Sequence, residues 1–278
     1  MLIRTGYDIR FDTETPTPML ALLSVHPSRH HDLRTPHRIV ADPDIPMFDY
    51  VDGFGNVVSR FTVPAGGVTL SCDFVVEDSG LPDPVSRDAV QHSVEDLPEE
   101  VIVFLLGSRY CETDRMQETA WSLFGTTEPG WARVQAIVDY AHDRVEFGYH
   151  HARATKTAYE AHDERAGVCR DFAHLGITLC RAMNIPARYC TGYLCDIGIP
   201  PIDAPMDFSA WFEVYLGGAW HTFDARHNKP RIGRIPMARG RDATDAALTT
   251  AFGQARLVRF DVHTIEVASA DLSLPRGV

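Results

Sequence analysis

Seven apolar or small residues, Cys169, Phe172, Ala173, Gly176, Leu179, Cys180 and Met183, recur at the three- and four-residue spacing of one helix face. Gly167 precedes the run, and Asn184 with Pro186 closes it. Extended segments follow at 188–194, 210–216 and 219–224. The last two flank Gly217-Gly218, a two-residue hairpin signal. A helix that must bury one face, followed by an antiparallel hairpin, points to an α+β core with the helix packed on a sheet.

The N-terminal part reads differently. Val68, Leu70, Cys72, Phe74 and Val76 alternate with residues of the opposite face, a period-two strand pattern. The turn cluster Asp52-Gly53-Phe54-Gly55-Asn56 precedes another extended run, 57–63. Prolines at 16, 18, 27, 36, 43 and 46 disfavour long helices. Residues 1–95 are therefore expected to form a β-sandwich domain without a catalytic group. Residues 96–278 are expected to form the second domain. The polar stretch 79–96, with Pro82 and Pro84, is the expected linker. A helix is expected behind Thr127-Glu128-Pro129, where Trp131, Val134, Ile137, Val138, Ala141 and Val145 recur at helical spacing.

Composition bounds the function. The 26 Lys+Arg against 38 Asp+Glu give a net charge of −12, which argues against a general nucleic-acid binder. No apolar run approaches a membrane span, and the first residues lack an apolar signal core, so the expected setting is the cytoplasm, with no membrane partner. The six cysteines form no CxxC pair and are expected to be reduced thiols. The histidines show no metal-ligand spacing, so neither a metal nor another cofactor is expected.

Chemistry concentrates at two places. Cys169 falls in the first turn of its helix, where backbone N–H groups and the positive dipole end favour a thiolate and an oxyanion. The Gly217-Gly218 turn pairs Leu216 with Ala219, Tyr215 with Trp220 and Val214 with His221. Continued, it sets Trp211 opposite Asp224 and position 209 opposite 226. Residues 209, 211, 213 and 215 then share a face with 220, 222, 224 and 226. A base at 209 held by Asp224 would complete a thiol, base and acid relay.

Three stretches carry a resemblance: Ala166-Gly167-Val168-Cys169-Arg170-Asp171-Phe172-Ala173, Ala210-Trp211-Phe212-Glu213-Val214-Tyr215, and Trp220-His221-Thr222-Phe223-Asp224. In this order and spacing they resemble the core of the transglutaminase-like superfamily, and more narrowly its bacterial cysteine proteases with an N-terminal β domain. The resemblance implies a papain-like α+β core, Cys169 as nucleophile and Asp224 as orienting acid. It implies thiol acyl transfer or hydrolysis at amide bonds of a polypeptide or small amide substrate. The family histidine position is Ser209 here, and a serine hydroxyl cannot accept the thiol proton near neutral pH as an imidazole does. Two readings follow: an enzyme weakened at Ser209, or a pseudoenzyme that binds a polypeptide in the retained cleft. His174, His221 and His227 are not placed by the sequence to replace the missing base. Trp211 and Trp220 are candidate walls of the cleft. Arg231, Arg234, Arg239 and Arg241 are candidates for holding an anionic group, and His150-His151 for the cleft mouth.

Overall fold

The computed structural model describes residues 1–200 and 206–268. Six strands open the chain: β1 (Leu2–Asp12), β2 (Thr17–Ala21), β3 (Val40–Asp42), β4 (Phe48–Val51), β5 (Val57–Val63) and β6 (Val68–Glu77). A helical section follows: α1 (Glu99–Ile102), α2 (Thr113–Phe124), α3 (Trp131–Arg144), α4 (Ala158–Glu164) and α5 (Cys169–Ala182). Two short strands, β7 (Glu146–Phe147) and β8 (Ala166–Gly167), lie between these helices. The chain continues with β9 (Ala187–Leu194), β10 (Ser209–Leu216), β11 (Ala219–Phe223), β12 (Arg234–Gly240), β13 (Thr249–Ala251) and β14 (Arg256–Val267).

The sandwich has two four-stranded sheets, ordered β14-β1-β6-β3 and β13-β2-β5-β4. Its apolar core takes alternate residues from both sheets: Ile3, Tyr7 and Ile9 of β1, Met19 of β2, Phe61 of β5, and Val68, Leu70, Cys72, Phe74 and Val76 of β6. The expected division at residue 95 requires a correction here, because β13 and β14 come from the far end of the chain and complete the sandwich sheets. β14 pairs with β1 over nearly its whole length, from Leu2 opposite Val267 to Asp12 opposite Arg256. An edge left open on β1 would expose unpaired backbone groups, and β14 removes it. Residues 201–205 and 269–278 of the expected second domain lie outside the described residues.

The second layer is the antiparallel sheet β11-β10-β9-β12. Helix α5 packs on β10, and α2, α3 and α4 pack on α5. Twelve consecutive residues, Asp171 to Ala182, are buried, so α5 is enclosed on all sides and not along one stripe. Its approach to the sheet is close: a Cβ at Gly176 would lie 2.7 Å from the Phe212 ring. Among the described residues, no helix is long and apolar enough to cross a membrane.

The two layers share apolar packing. Tyr193, Phe208, Ile235 and Met237 of the second layer belong to the sandwich core. Phe208 packs edge-on against Tyr7, Tyr193 and Phe260. The sandwich braces the residue immediately before Ser209. The expected linker is a strap along the second layer. Asp83 accepts from Arg231 and Arg234, and Gln91 donates to the Met183 carbonyl.

Candidate active site

Local sequence explains how Cys169 is presented. Val168 caps α5, and the Asp171 carboxylate reaches back to accept the Val168 N–H at 2.9 Å. Gly167 lets Asp171 approach, since a Cβ there would sit 2.7 Å from the Asp171 side chain. Arg170 pairs with Asp171 and donates to the Ala154 and Arg153 carbonyls. Cys169 is half-buried, whereas Cys72, Cys111, Cys180, Cys190 and Cys195 are buried.

The backbone N–H groups of Ala210 and Arg170 favour the charged form of the Cys169 thiol, and α5 packs against β10. The expectation that the helix start lowers the thiol pKa is not met. Burial pushes the thiol up to about 11, Asp207 adds to the rise, and Arg226 and the two N–H groups oppose it. Desolvation of the thiolate outweighs the partial charges of one helix end. At neutral pH the group is a thiol, so attack on a carbonyl requires a base during the step itself.

The hairpin register agrees with the sequence as far as Phe223, whereas the expected continuation of the ladder to 224 and 226 is replaced by a turn. Leu216 pairs with Ala219, Tyr215 with Trp220, Val214 with His221 and Phe212 with Phe223. Asp224 follows directly on β11, buried, with three donors on its carboxylate. Arg234 Nη2 lies at 2.8 Å, His227 Nδ1 at 2.9 Å, and the His227 backbone N–H at 3.0 Å. Burial opposes its charge, but Arg234 and His227 outweigh that and hold the carboxyl well below the usual range.

A cavity of about 380 Å³ lies at the mouth of the site, lined by Tyr149, Asp207, Ser209, Arg226, His227 and Arg231 among others. Three of the lining residues, Tyr149, Asp207 and Arg226, interact electrostatically with the Cys169 thiol, which itself does not line the cavity. Burial raises Tyr149 and Asp207 above their ordinary values, with Arg226 opposing both shifts.

The structure thus brings Cys169 and the Ser209–Ala210 strand start together, and Ser209 and His227 onto one cavity. Neither tryptophan lines that cavity. Trp211 is buried beneath the Arg234 guanidinium, 5.1 Å from its ring. Trp220 lies near the hairpin turn, against Phe104, Tyr215 and Arg188. Their alternation places them on the face of Asp224, but strand length carries Trp220 away from the cavity end. The arginine series is largely spent on carboxylates: Arg234 on Asp224 and Asp83, Arg239 on Glu213, Arg241 on Asp245. The His150 and His151 rings pack on each other beside Tyr149 and do not line the cavity.

Sequence reasoning missed Tyr149, Asp207 and Arg226. Arg226 lies in the turn after β11, beyond the last ladder pair Phe212–Phe223, so strand register did not carry it to the site. Nothing local announces Tyr149, which arrives from the turn after β7.

Comparison with known proteins identifies the family. The profile of the Transglutaminase-like superfamily matches residues 117–225, which span α5, the hairpin and Asp224. The crystal structure of a Putative Cysteine Protease from Cytophaga hutchinsonii is 31% identical, with a TM-score of 0.83, over 97% of this chain and 91% of that one. An uncharacterized protein of Mycobacterium leprae is 28% identical over 224 residues, 76% of this chain and 77% of its own. One from Mycobacterium tuberculosis is 29% identical over 233 residues, 75% and 73% respectively. The chain belongs to the transglutaminase-like superfamily.

Proposed function

We propose that the protein carries out thiol-dependent acyl chemistry at amide bonds, hydrolysis or transfer to an amine, with Cys169 as nucleophile and a polypeptide or small amide as substrate. The observation that carries this reading is Cys169 itself: half-buried at the first turn of α5, with its thiolate favoured by Arg226 and by the N–H groups of Arg170 and Ala210. Those groups suit an oxyanion once sulfur has bonded to a carbonyl carbon. Six cysteines without a disulfide support a reducing compartment such as the cytoplasm.

Ser209 and the raised thiol favour the second reading, a pseudoenzyme that binds a polypeptide without turnover. The two readings share one prediction. Iodoacetamide is expected to label Cys169 before the five buried thiols, with a rate that keeps rising above pH 9 because the thiolate is scarce until about pH 11. Peptide mapping across pH 6–11 checks this. Labelling of Cys111 or Cys190 ahead of Cys169 contradicts the assignment.

A further inference from the structure

We propose that His227, held by Asp224, is the acid–base residue of the Cys169 site and supplies the imidazole that position 209 lacks. The inference rests on the thiol reading above and deepens it.

The turn after β11 fixes the ring. Asp224 accepts from the backbone N–H of His227 and from its Nδ1, while the Asn228 N–H bonds the Asp224 carbonyl at 2.8 Å. One residue is thus tied at main chain and side chain to the same carboxylate. A charged Asp224 can only accept, so Nδ1 carries the proton and Nε2 presents its lone pair. Arg234, at 2.8 Å from Asp224, keeps that carboxylate charged. Among the described residues Nε2 has no hydrogen-bond partner, and His227 lines the cavity together with Ser209. Three other lining residues, Tyr149, Asp207 and Arg226, are neighbours of the thiol.

The other histidines near the site are committed elsewhere. His174 is buried, accepting the Ala243 N–H at 3.1 Å and stacked on Tyr110. His221 bonds the Leu216 carbonyl at the far end of the hairpin, and His142 bonds that of Ala225. Asp224 is the residue that the family resemblance assigns to orienting a base at 209. Here the same carboxylate orients a ring that arrives from its own turn.

The steps balance without any added reactant beyond substrate and water. As Sγ bonds to the acyl carbon, its proton passes to Nε2 and the carbonyl π pair moves to oxygen. When the carbonyl re-forms, the bond to the leaving nitrogen breaks and the Nε2 proton goes to that nitrogen. Water then loses a proton to Nε2 as its oxygen bonds to the acyl carbon. The C–S bond breaks and sulfur takes the proton back. An amine in place of that water gives transfer.

The test uses the full chain with 4-nitrophenyl acetate, following kcat/KM against pH. His227→Asn keeps an N–H donor for Asp224 but no base. It is expected to lower kcat/KM roughly 10²–10⁴-fold, with KM little changed, and to abolish the imidazole-linked limb of the pH profile. His221→Ala is expected to keep the parent profile. Adding Ser209→His to His227→Asn returns an imidazole to the same carboxylate, and is expected to restore that limb and part of the rate. A merely structural role for His227 would lower the melting temperature and leave the shape of the profile intact. A folded His227→Asn, or His227→Gln should the first not fold, with the parent profile overturns the assignment. A parent that forms no acetyl-Cys169, or a Cys169→Ala chain as fast as the parent, sinks the thiol reading and the His227 role with it.

Discussion

Cys169→Ala is expected to reduce turnover of an activated ester to the background of the uncatalysed reaction, with the melting temperature almost unchanged. The covalent route has one entry, the bond between Sγ and the acyl carbon, and alanine cannot make it. Asp207, Arg226 and the N–H groups of Arg170 and Ala210 remain in place, so any rate that persists measures what binding and oxyanion contacts contribute alone. The fold is expected to tolerate the change. Cys169 is half-buried in the first turn of α5, the cap contact runs from Asp171 to Val168, and alanine is a good helix former. Ester turnover beside a thermal melt of both chains gives the two readouts. A variant that loses stability and activity together would assign the thiol a packing role instead.

The second large effect is on stability. Arg234→Met is expected to cost about 3–5 kcal/mol, the range for removing one partner of a buried ion pair. Arg234 is buried and bridges two carboxylates, Asp224 at 2.8 Å and Asp83 at 2.8 Å. Its loss leaves Asp224 with the His227 donors and Asp83 with the Arg231 N–H. Methionine fills the volume over Trp211 but neutralises neither charge. The pH dependence has a definite sign. Asp224 is held below the ordinary carboxylate range, so its contribution is present at neutral pH and is lost as the solution is acidified through and below that range. In Arg234→Met that acid loss is expected to shrink, because the carboxyl moves back up. Urea unfolding at pH 7 and at about pH 2.5, below the ordinary carboxylate range, measures both effects. A variant as stable as the parent at pH 7 would show that this pair contributes nothing net.

Local chemistry made part of this molecule readable. Alternation from Val68 to Val76 identified which face of β6 is buried, because a strand repeats every two residues. The Gly217-Gly218 turn fixed the hairpin register from Leu216–Ala219 to Phe212–Phe223, but the turn that follows ends the ladder before Asp224. Packing between distant segments was not readable. β14 reaches β1 from some 250 positions away in sequence, and no local pattern in 256–267 names its partner. The stripe on α5 suggested one buried face, yet α2, α3 and α4 close over the other sides, so even Thr178 and Arg181 are buried. Arg181 meets that by donating to the Ala187, Leu106 and Arg241 carbonyls. The thiol failed for a related reason. A helix start is visible in sequence, but the desolvation that outweighs it comes from residues brought in by other elements. His227 lies only three residues past Asp224, and its role was hidden by strand logic that stops at Phe223. The turn beyond the strand, not the strand, sets that ring.

The most direct measurement is the identity of the acylated residue. The full chain is mixed briefly with 4-nitrophenyl acetate, quenched in acid to preserve a thioester, and mapped by peptide mass spectrometry. The account predicts one acetyl group on the peptide carrying Cys169, lost on treatment with hydroxylamine. Acetyl groups on other side chains with Cys169 unmodified, while ester is being turned over, would contradict it.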